Sequence, residues 1–218
     1  MSTTRSGLLA RAVTTLAAGA ALVLAPGLAT TASAADAPTS TSDRAGLAGV
    51  FIATTLVDGD HYDYPGGTWF DGGNTIDAIL ALDGAGVGLG AADAAMAYLA
   101  ANVGGTDPEN YVGTGGEQYA GPLAKTLLAV VAHGGDPTSF GGVDLVAALE
   151  SLEGTVAPGR FSDASTYGDY SNTIGQSLAM IALTRAGATL APEATTFLLD
   201  QQCPDGGFRG DLAATTCT

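Results

Sequence analysis

Basic residues are scarce in this 218-residue chain: seven Lys and Arg stand against 22 Asp and Glu, and Lys125 is the sole lysine. A net charge of −15 repels phosphate backbones and offers anionic lipids no basic stripe. Nucleic-acid partners are thereby disfavoured. Histidine and cysteine are rarer still, at two each. His61 and His133 lie at no metal-ligand spacing from Cys203 and Cys217, so no zinc site is indicated. Alternating β-branched runs are missing, which argues against a sheet. No Ser–His–Asp signature occurs, and no Gly-rich loop with a following Lys to cradle phosphate. Beyond residue 34 no stretch approaches membrane-spanning length without charges.

What is present begins with a leader. Arg5 and Arg11 precede an apolar run from Ala12 to Leu28, and Ala32-Ser33-Ala34 supplies a small-x-small cleavage pattern. This is the layout of a secretory signal over 1–34. Thr14, Thr15 and Pro26 make the same run a weak membrane span, so no stable span is expected after cleavage. The mature chain then holds five basic and 22 acidic residues, a net charge of −17, and is expected to be secreted or at the cell surface. Residues 35–42 read as a disordered linker. In an oxidising compartment the default for Cys203 and Cys217 is a disulfide. A loop of that size stabilises by about 3 kcal/mol in the chain-entropy model.

The rest of the chain repeats itself. Ala78-Ile79-Leu80-Ala81-Leu82-Asp83-Gly84-Ala85-Gly86 matches Ala179-Met180-Ile181-Ala182-Leu183-Thr184-Arg185-Ala186-Gly187, and Leu127-Leu128-Ala129-Val130-Val131-Ala132-His133-Gly134-Gly135 lies between them. Each is an Ala-rich apolar helix closed by glycine; Gly86, Gly135 and Gly187 are spaced 49 and 52 residues apart. These helices, at 74–84, 122–133 and 172–185, are apolar nearly all round and should be buried. More polar-faced helices are expected at 43–56, 91–102, 143–153 and 191–202, and should lie outside. The fold class is all-α: helical hairpins over 43–218, stacked in two layers as a solenoid or ring.

Phe197-Leu198-Leu199-Asp200-Gln201-Gln202-Cys203-Pro204-Asp205-Gly206-Gly207-Phe208 resembles the Gln…Asp-Gly-Gly-Phe/Trp motif of the squalene cyclase and protein prenyltransferase superfamily. Tyr64-Pro65-Gly66-Gly67-Thr68-Trp69-Phe70-Asp71-Gly72-Gly73 and Gly159-Arg160-Phe161-Ser162-Asp163 are similar pieces. The resemblance implies an α/α toroid, with inner and outer helices around a central cavity. In the motif, Gly-Gly permits a tight turn, the aromatic plugs the gap between hairpins and Gln bonds helix-end groups. The catalytic marks of that superfamily are not found. Asp58-Gly59-Asp60-His61 is the nearest piece to an Asp-x-Asp-Asp acid, and the Asp, Cys and His zinc ligands have no counterpart. Neither catalytic nor metal residues are assigned, and no cofactor is implied. Asp58-Gly59-Asp60 with Asp63 hints at calcium but departs from the EF-hand loop. Thr114-Gly115-Gly116-Glu117-Gln118 is similar to the thioester segment of complement-type domains, with Gly115 in the cysteine's place; its Glu-Gln pair reads as a helix start. Three hairpins and the start of a fourth make an incomplete ring, which suggests a fragment.

Ten of the 14 aromatic residues fall in loops before the apolar helices or at their starts, accompanied by Asp58, Asp60, Asp63, Asp71, Glu109, Glu117, Asp163, Asp169 and Asp211. Hairpin repeats would bring these loops to one end, as a mouth. Its candidate ligand-binding residues are Tyr62, Tyr64, Trp69, Asp71, Glu117, Gln118, Tyr119, Phe161, Asp163, Tyr167, Asp169, Tyr170 and Phe208. Such a surface suits a small hydrophobic or carbohydrate ligand. The alternative role for the rings is to staple hairpins together. The expectation is therefore a non-catalytic surface or ligand-binding module. The rivals are an enzyme of terpenoid-cyclase or polysaccharide-lyase type completed by further repeats, and a carrier of cobalamin-carrier type.

Overall fold

The computed structural model describes residues 43–67, 69–103, 110–113 and 116–217. The leader at 1–34 and the linker at 35–42 lie outside the described residues, as do Thr68, Glu109, Thr114 and Gly115. Among the described residues there are seven α-helices and no strand. They are α1 Arg44–Thr55, α2 Gly72–Ala85, α3 Leu89–Ala101, α4 Ala120–His133, α5 Leu145–Glu150, α6 Thr173–Arg185 and α7 Pro192–Asp200. The β-type pairings there are isolated antiparallel bridges between loop residues. No helix among the described residues is long and apolar enough to cross a membrane.

Helix α4 packs between α2 and α6; α1 and α3 rest on α2, α5 on α4 and α7 on α6. The core runs through Ile76, Ile79 and Leu82 of α2, Leu123, Leu127 and Val130 of α4, and Ala179, Ala182 and Leu183 of α6, with Leu99, Leu145 and Leu149 of the flanking helices closing it. Each fully buried Leu or Ile contributes about 1.5–3 kcal/mol relative to exposure. Helices α4 and α6 touch almost backbone to backbone. A methyl group built on Gly175 would stand 3.2 Å from the Cα of Gly121.

Local chemistry sets the helix ends. Asp71 accepts from the Asn74 N–H at 2.9 Å and starts α2; Asn172 accepts from Gly175 at 2.9 Å and starts α6. Helix α4 follows Tyr119, which supplies no side-chain cap. Its cap comes from the loop ahead of α6, where Asp163 Oδ1 accepts from the Ala120 N–H at 2.8 Å. Such caps satisfy donors that the helix itself leaves unpaired. At the other end, Gly86 and Gly134 take the left-handed conformation, with φ of 65° and 88°, and donate back to the last turn. The closing residue of α4 is therefore Gly134 rather than Gly135. For α6 the left-handed glycine, Gly187, stands one place beyond the cap.

Three expectations need correction. Helix α5 is shorter than 143–153, because Gly154 donates to the Arg160 carbonyl and Ser162 to the Leu152 carbonyl; the chain turns back instead of continuing the helix. Glu117 and Gln118 do not open α4. Gln118 exchanges backbone hydrogen bonds with Ala164, and the Glu117 carboxylate accepts from Thr166, so both serve the neighbouring loop. The apolar helices are not buried all round: α6 presents Ile174 and Ile181 to solvent, 73% and 48% exposed.

Cys203 and Cys217 are joined by a disulfide, with Cα atoms 5.9 Å apart, which closes the segment after α7.

Candidate functional site

The loops that precede α2, α4 and α6 meet at one end of the molecule. Tyr111 lies against Gly72, where an added methyl would fall 2.7 Å from the tyrosine Cβ and Cγ. Gln118 bridges to Ala164, and Asn172 to Asp211. The N-terminal ends of the three helices therefore lie together, and their solvent-facing strips run away from that end side by side. Asn74, Asp77 and Ala81 form the strip on α2. Lys125, Leu128 and Ala132 form it on α4, and Ile174, Leu178 and Ile181 on α6.

A shallow trough crosses these strips. A cavity of about 530 Å³ lies between Ile52, Tyr62, Pro65, Asn74, Asp77, Ala78 and Ala81. A second of about 410 Å³ is lined by Asp77, Leu80, Tyr111, Pro122, Lys125, Ile174 and Leu178. A third of about 320 Å³ lies between Thr173, Ile174, Ser177, Leu178 and Phe208. Asp77 lines the first two, and Ile174 and Leu178 the last two, so the three adjoin in a row. Cavities of this size suit small-molecule ligands.

Polar side chains line every part of the trough: Tyr62, Asp63, Asp71 and Asn74 the first cavity, Asp77, Lys125, Tyr111 and Asn172 the second, Thr173 and Ser177 the third. Lys125 Nζ lies 2.8 Å from Asp77 Oδ2 and donates to the Gly73 carbonyl at 2.9 Å. Beside this pair stands Tyr111. Burial, and then the charges of Asp77, Tyr64 and Asp71, push its phenol up to about 12. It therefore remains a neutral donor at physiological pH.

The residues expected to form the mouth are used in different ways. Asp71 lines the first cavity but is buried, with both carboxylate oxygens bonded to Asn74. Tyr62 lines the same cavity, and its N–H donates to Thr75 Oγ1. Phe161 is fully buried, so it packs the hairpins together and is not accessible to a ligand. Asp163 caps α4 and accepts from the Tyr170 N–H at 2.9 Å. Asp169 is ion-paired with Arg160 at 2.7 Å. Gln118 and Tyr119 are held by backbone bonds to Ala164 and Val112. Tyr64, Trp69, Tyr167 and Tyr170 are exposed. Phe208, expected as a plug, is 46% exposed and lines the third cavity.

The Gly-Gly pairs that follow α1 and α7, 66–67 and 206–207, stand in turns, with positive φ at Gly66, Gly67 and Gly206; the pair at 72–73 has another use. It forms the first turn of α2 rather than a tight turn, and its lack of side chains makes room for Tyr111. Gln201 does bond a helix end, donating to the Phe197 carbonyl at 2.8 Å.

Asp60 and Asp63 flank the buried His61, at 2.6 Å from Nδ1 and 3.3 Å from Nε2, and its ring stacks on Tyr98 at 4.1 Å. The Asp58–Asp63 segment is thus tied up in fixing the α1–α2 loop. Among the described residues no group of three or more His, Cys, Asp or Glu could hold a metal ion. Hydrogen bonds from Ser165 and Thr166 hold Glu117 below its ordinary value. Asp169 is also lowered: burial pushes it up, but bonds from Ser171 and Asp163 and the Arg160 charge outweigh that. A general acid for glycoside cleavage needs the opposite shift. The carboxyl pushed up by burial, with Glu150 and Glu193 adding, is Glu153, in the turn that follows α5 and outside the candidate set.

Loop-based reasoning missed Asp77, Lys125 and Leu178; Tyr111 is one of the ten loop aromatics but stood outside the candidate ligand-binding residues. Two signals were in the sequence: the single lysine, placed in an apolar helix, and the spacing of Asn74, Asp77 and Ala81, which puts them on one helical strip. No family model, curated protein or solved structure matches the chain.

Proposed function

We propose that the chain is a secreted, non-catalytic repeat module of the prenyltransferase and squalene-cyclase type, which holds a small apolar ligand along the strips of α2, α4 and α6. The observation that carries this reading is the row of adjoining cavities along these strips. Its walls combine Ala, Leu, Ile and Pro side chains with polar groups in every part, among them the Asp77–Lys125 pair and the neutral Tyr111 phenol, which can orient a ligand. In the toroid arrangement these three helices are the inner layer, and the trough is a sector of the central cavity. Their side-by-side packing and joined loop ends support that assignment. A disulfide at Cys203–Cys217 and the signal-like leader support export.

Thermal shift against a panel of isoprenoid alcohols, corrinoids and acidic glycans tests the reading. An isoprenoid at a hundredfold its Kd is expected to stabilise the folded state by about 2.7 kcal/mol. Ala81→Trp and Leu178→Trp fill the trough and should each abolish the shift. A flat response to every isoprenoid, or shifts that survive both tryptophans, would sink it.

A further inference from the structure

Several of the exposed apolar side chains have a packing explanation. Ile174, Ile181 and Phe208 belong to the flank of α6 that carries no helix among the described residues, and Leu47 and Phe51 to the outer side of α1. Tyr167 and Tyr170 do not fit either case. Their loop, 161–171, has neighbours on both sides: Gln118 pairs with Ala164 on one, and Asn172 with Asp211 on the other. The two rings are nevertheless 76% and 71% exposed. Their exposure is not a consequence of an open end.

The backbone beneath them is firmly held. Asp163 Oδ2 accepts from the Tyr170 N–H at 2.9 Å, and Asp169 Oδ1 from the N–H groups of Asp163 and Ser171 at 3.1 and 3.0 Å. Arg160 clamps Asp169, and Glu117, from the neighbouring loop, binds the Thr166 N–H and hydroxyl. The Tyr170 hydroxyl donates to the Tyr167 carbonyl at 3.1 Å, so the second ring is itself oriented. Two aromatic faces are presented to solvent on a preordered loop, which lowers the entropy cost of binding.

The chemistry of the surroundings selects a ligand. Ring-to-ring contacts among the described residues gather around His61, Phe70 and Tyr98, so Tyr167 and Tyr170 form no closed cage of the kind that takes a cation. Open tyrosine faces suit the flat apolar face of a pyranose, and the carboxylates of Glu117 and Asp169 have lone pairs to spare for sugar hydroxyls. The net charge of −15 repels acidic polysaccharides. We infer that loop 161–171 is a stacking platform for a neutral glycan chain, with Tyr167 and Tyr170 as its contact rings. No residue of 161–171 lines the trough, so this is a second site; it rests on the reading of the chain as a ligand-binding module.

Co-sedimentation of the full chain with insoluble cellulose, chitin and β-1,3-glucan is the test. Retention on at least one is expected, little changed by about 0.5 M NaCl, at which ionic contacts are screened. Tyr167→Ala and Tyr170→Ala should each weaken it by up to about tenfold, the double variant should fall to background, and Tyr167→Phe should retain binding. Thermal midpoints of all these variants should stay near the parent's, since both rings are exposed. Absence of retention on all three glycans, alanine variants that bind as the parent does, or binding abolished by salt would each overturn the proposal. Ala81→Trp must leave sedimentation intact; if it abolishes it, the platform is not a separate site. An absent isoprenoid shift with intact sedimentation would count against the trough alone.

Discussion

Tyr111 ties the trough to the start of α2 with a single ring. It lies on Gly72 and Gly73, next to the Asp77 carboxylate, and burial together with that negative charge disfavours its phenolate. The consequence is a stability that depends on pH in the alkaline range. In the unfolded chain the phenol titrates at its ordinary value of 10.0, while in the folded protein burial and the neighbouring charges push it up to about 12. Between these values the unfolded state has lost the proton and the folded state still holds it, so stability falls as pH rises and levels off above the folded value. The full shift corresponds to about 2.7 kcal/mol, and with the ring partly open to solvent an effect of about 1–2 kcal/mol is expected. Urea melts of the parent and of Tyr111→Phe, at pH 9 and then at pH values between about 10 and 12, measure it: the parent should lose more stability than the variant. Equal losses would show that the phenol is not held as described. Sequence reasoning marked the Asp71-Gly72-Gly73 motif but could not supply the reason for its glycines, because the ring that needs the space comes from the loop ahead of α4.

Helices were the most legible level. Ala-rich runs closed by glycine located α2, α4 and α6 to within about two residues, since periodicity and a left-handed closing glycine are local properties. What was hidden at this scale is the dependence of one helix on another hairpin. Tyr119 supplies no side-chain cap for α4; the acceptor is Asp163, 43 residues beyond Ala120. Contacts of that sequence separation leave no periodic trace. The same carboxylate holds the Tyr170 N–H, so it joins the start of α4 to the loop ahead of α6. Asp163→Ala removes a cap from the most enclosed helix of the protein and should cost about 1–2 kcal/mol, read as a lower urea midpoint. Asp163→Asn, whose amide oxygen can still accept from Ala120, should recover more than half of that loss. If both variants melt with the parent, the link between the two hairpins carries no stability.

At the scale of the molecule, the order and pairing of helices could be read from the sequence, but the position of the trough could not. Counting apolar residues makes α6 look buried on every side, whereas its rotation against α4 is set by the close approach of Gly121 and Gly175. That contact turns Gln176, Ala179, Ala182 and Leu183 inward, and leaves Ile174 and Ile181 outward with Leu178 at the trough. Ile174 and Ile181 therefore have a different energetic role from the buried Ile79, and substitution separates them. Ile79, with no exposed surface, cannot accept a hydroxyl without leaving a cavity and an unpaired polar group; Ile79→Ser should cost more than about 3 kcal/mol. Ile174→Ser and Ile181→Ser exchange one exposed side chain for another and should each stay within about 0.5 kcal/mol of the parent, even when combined. A large loss in the double variant would place that face of α6 in the core, and the trough, which depends on its being open, would go with it.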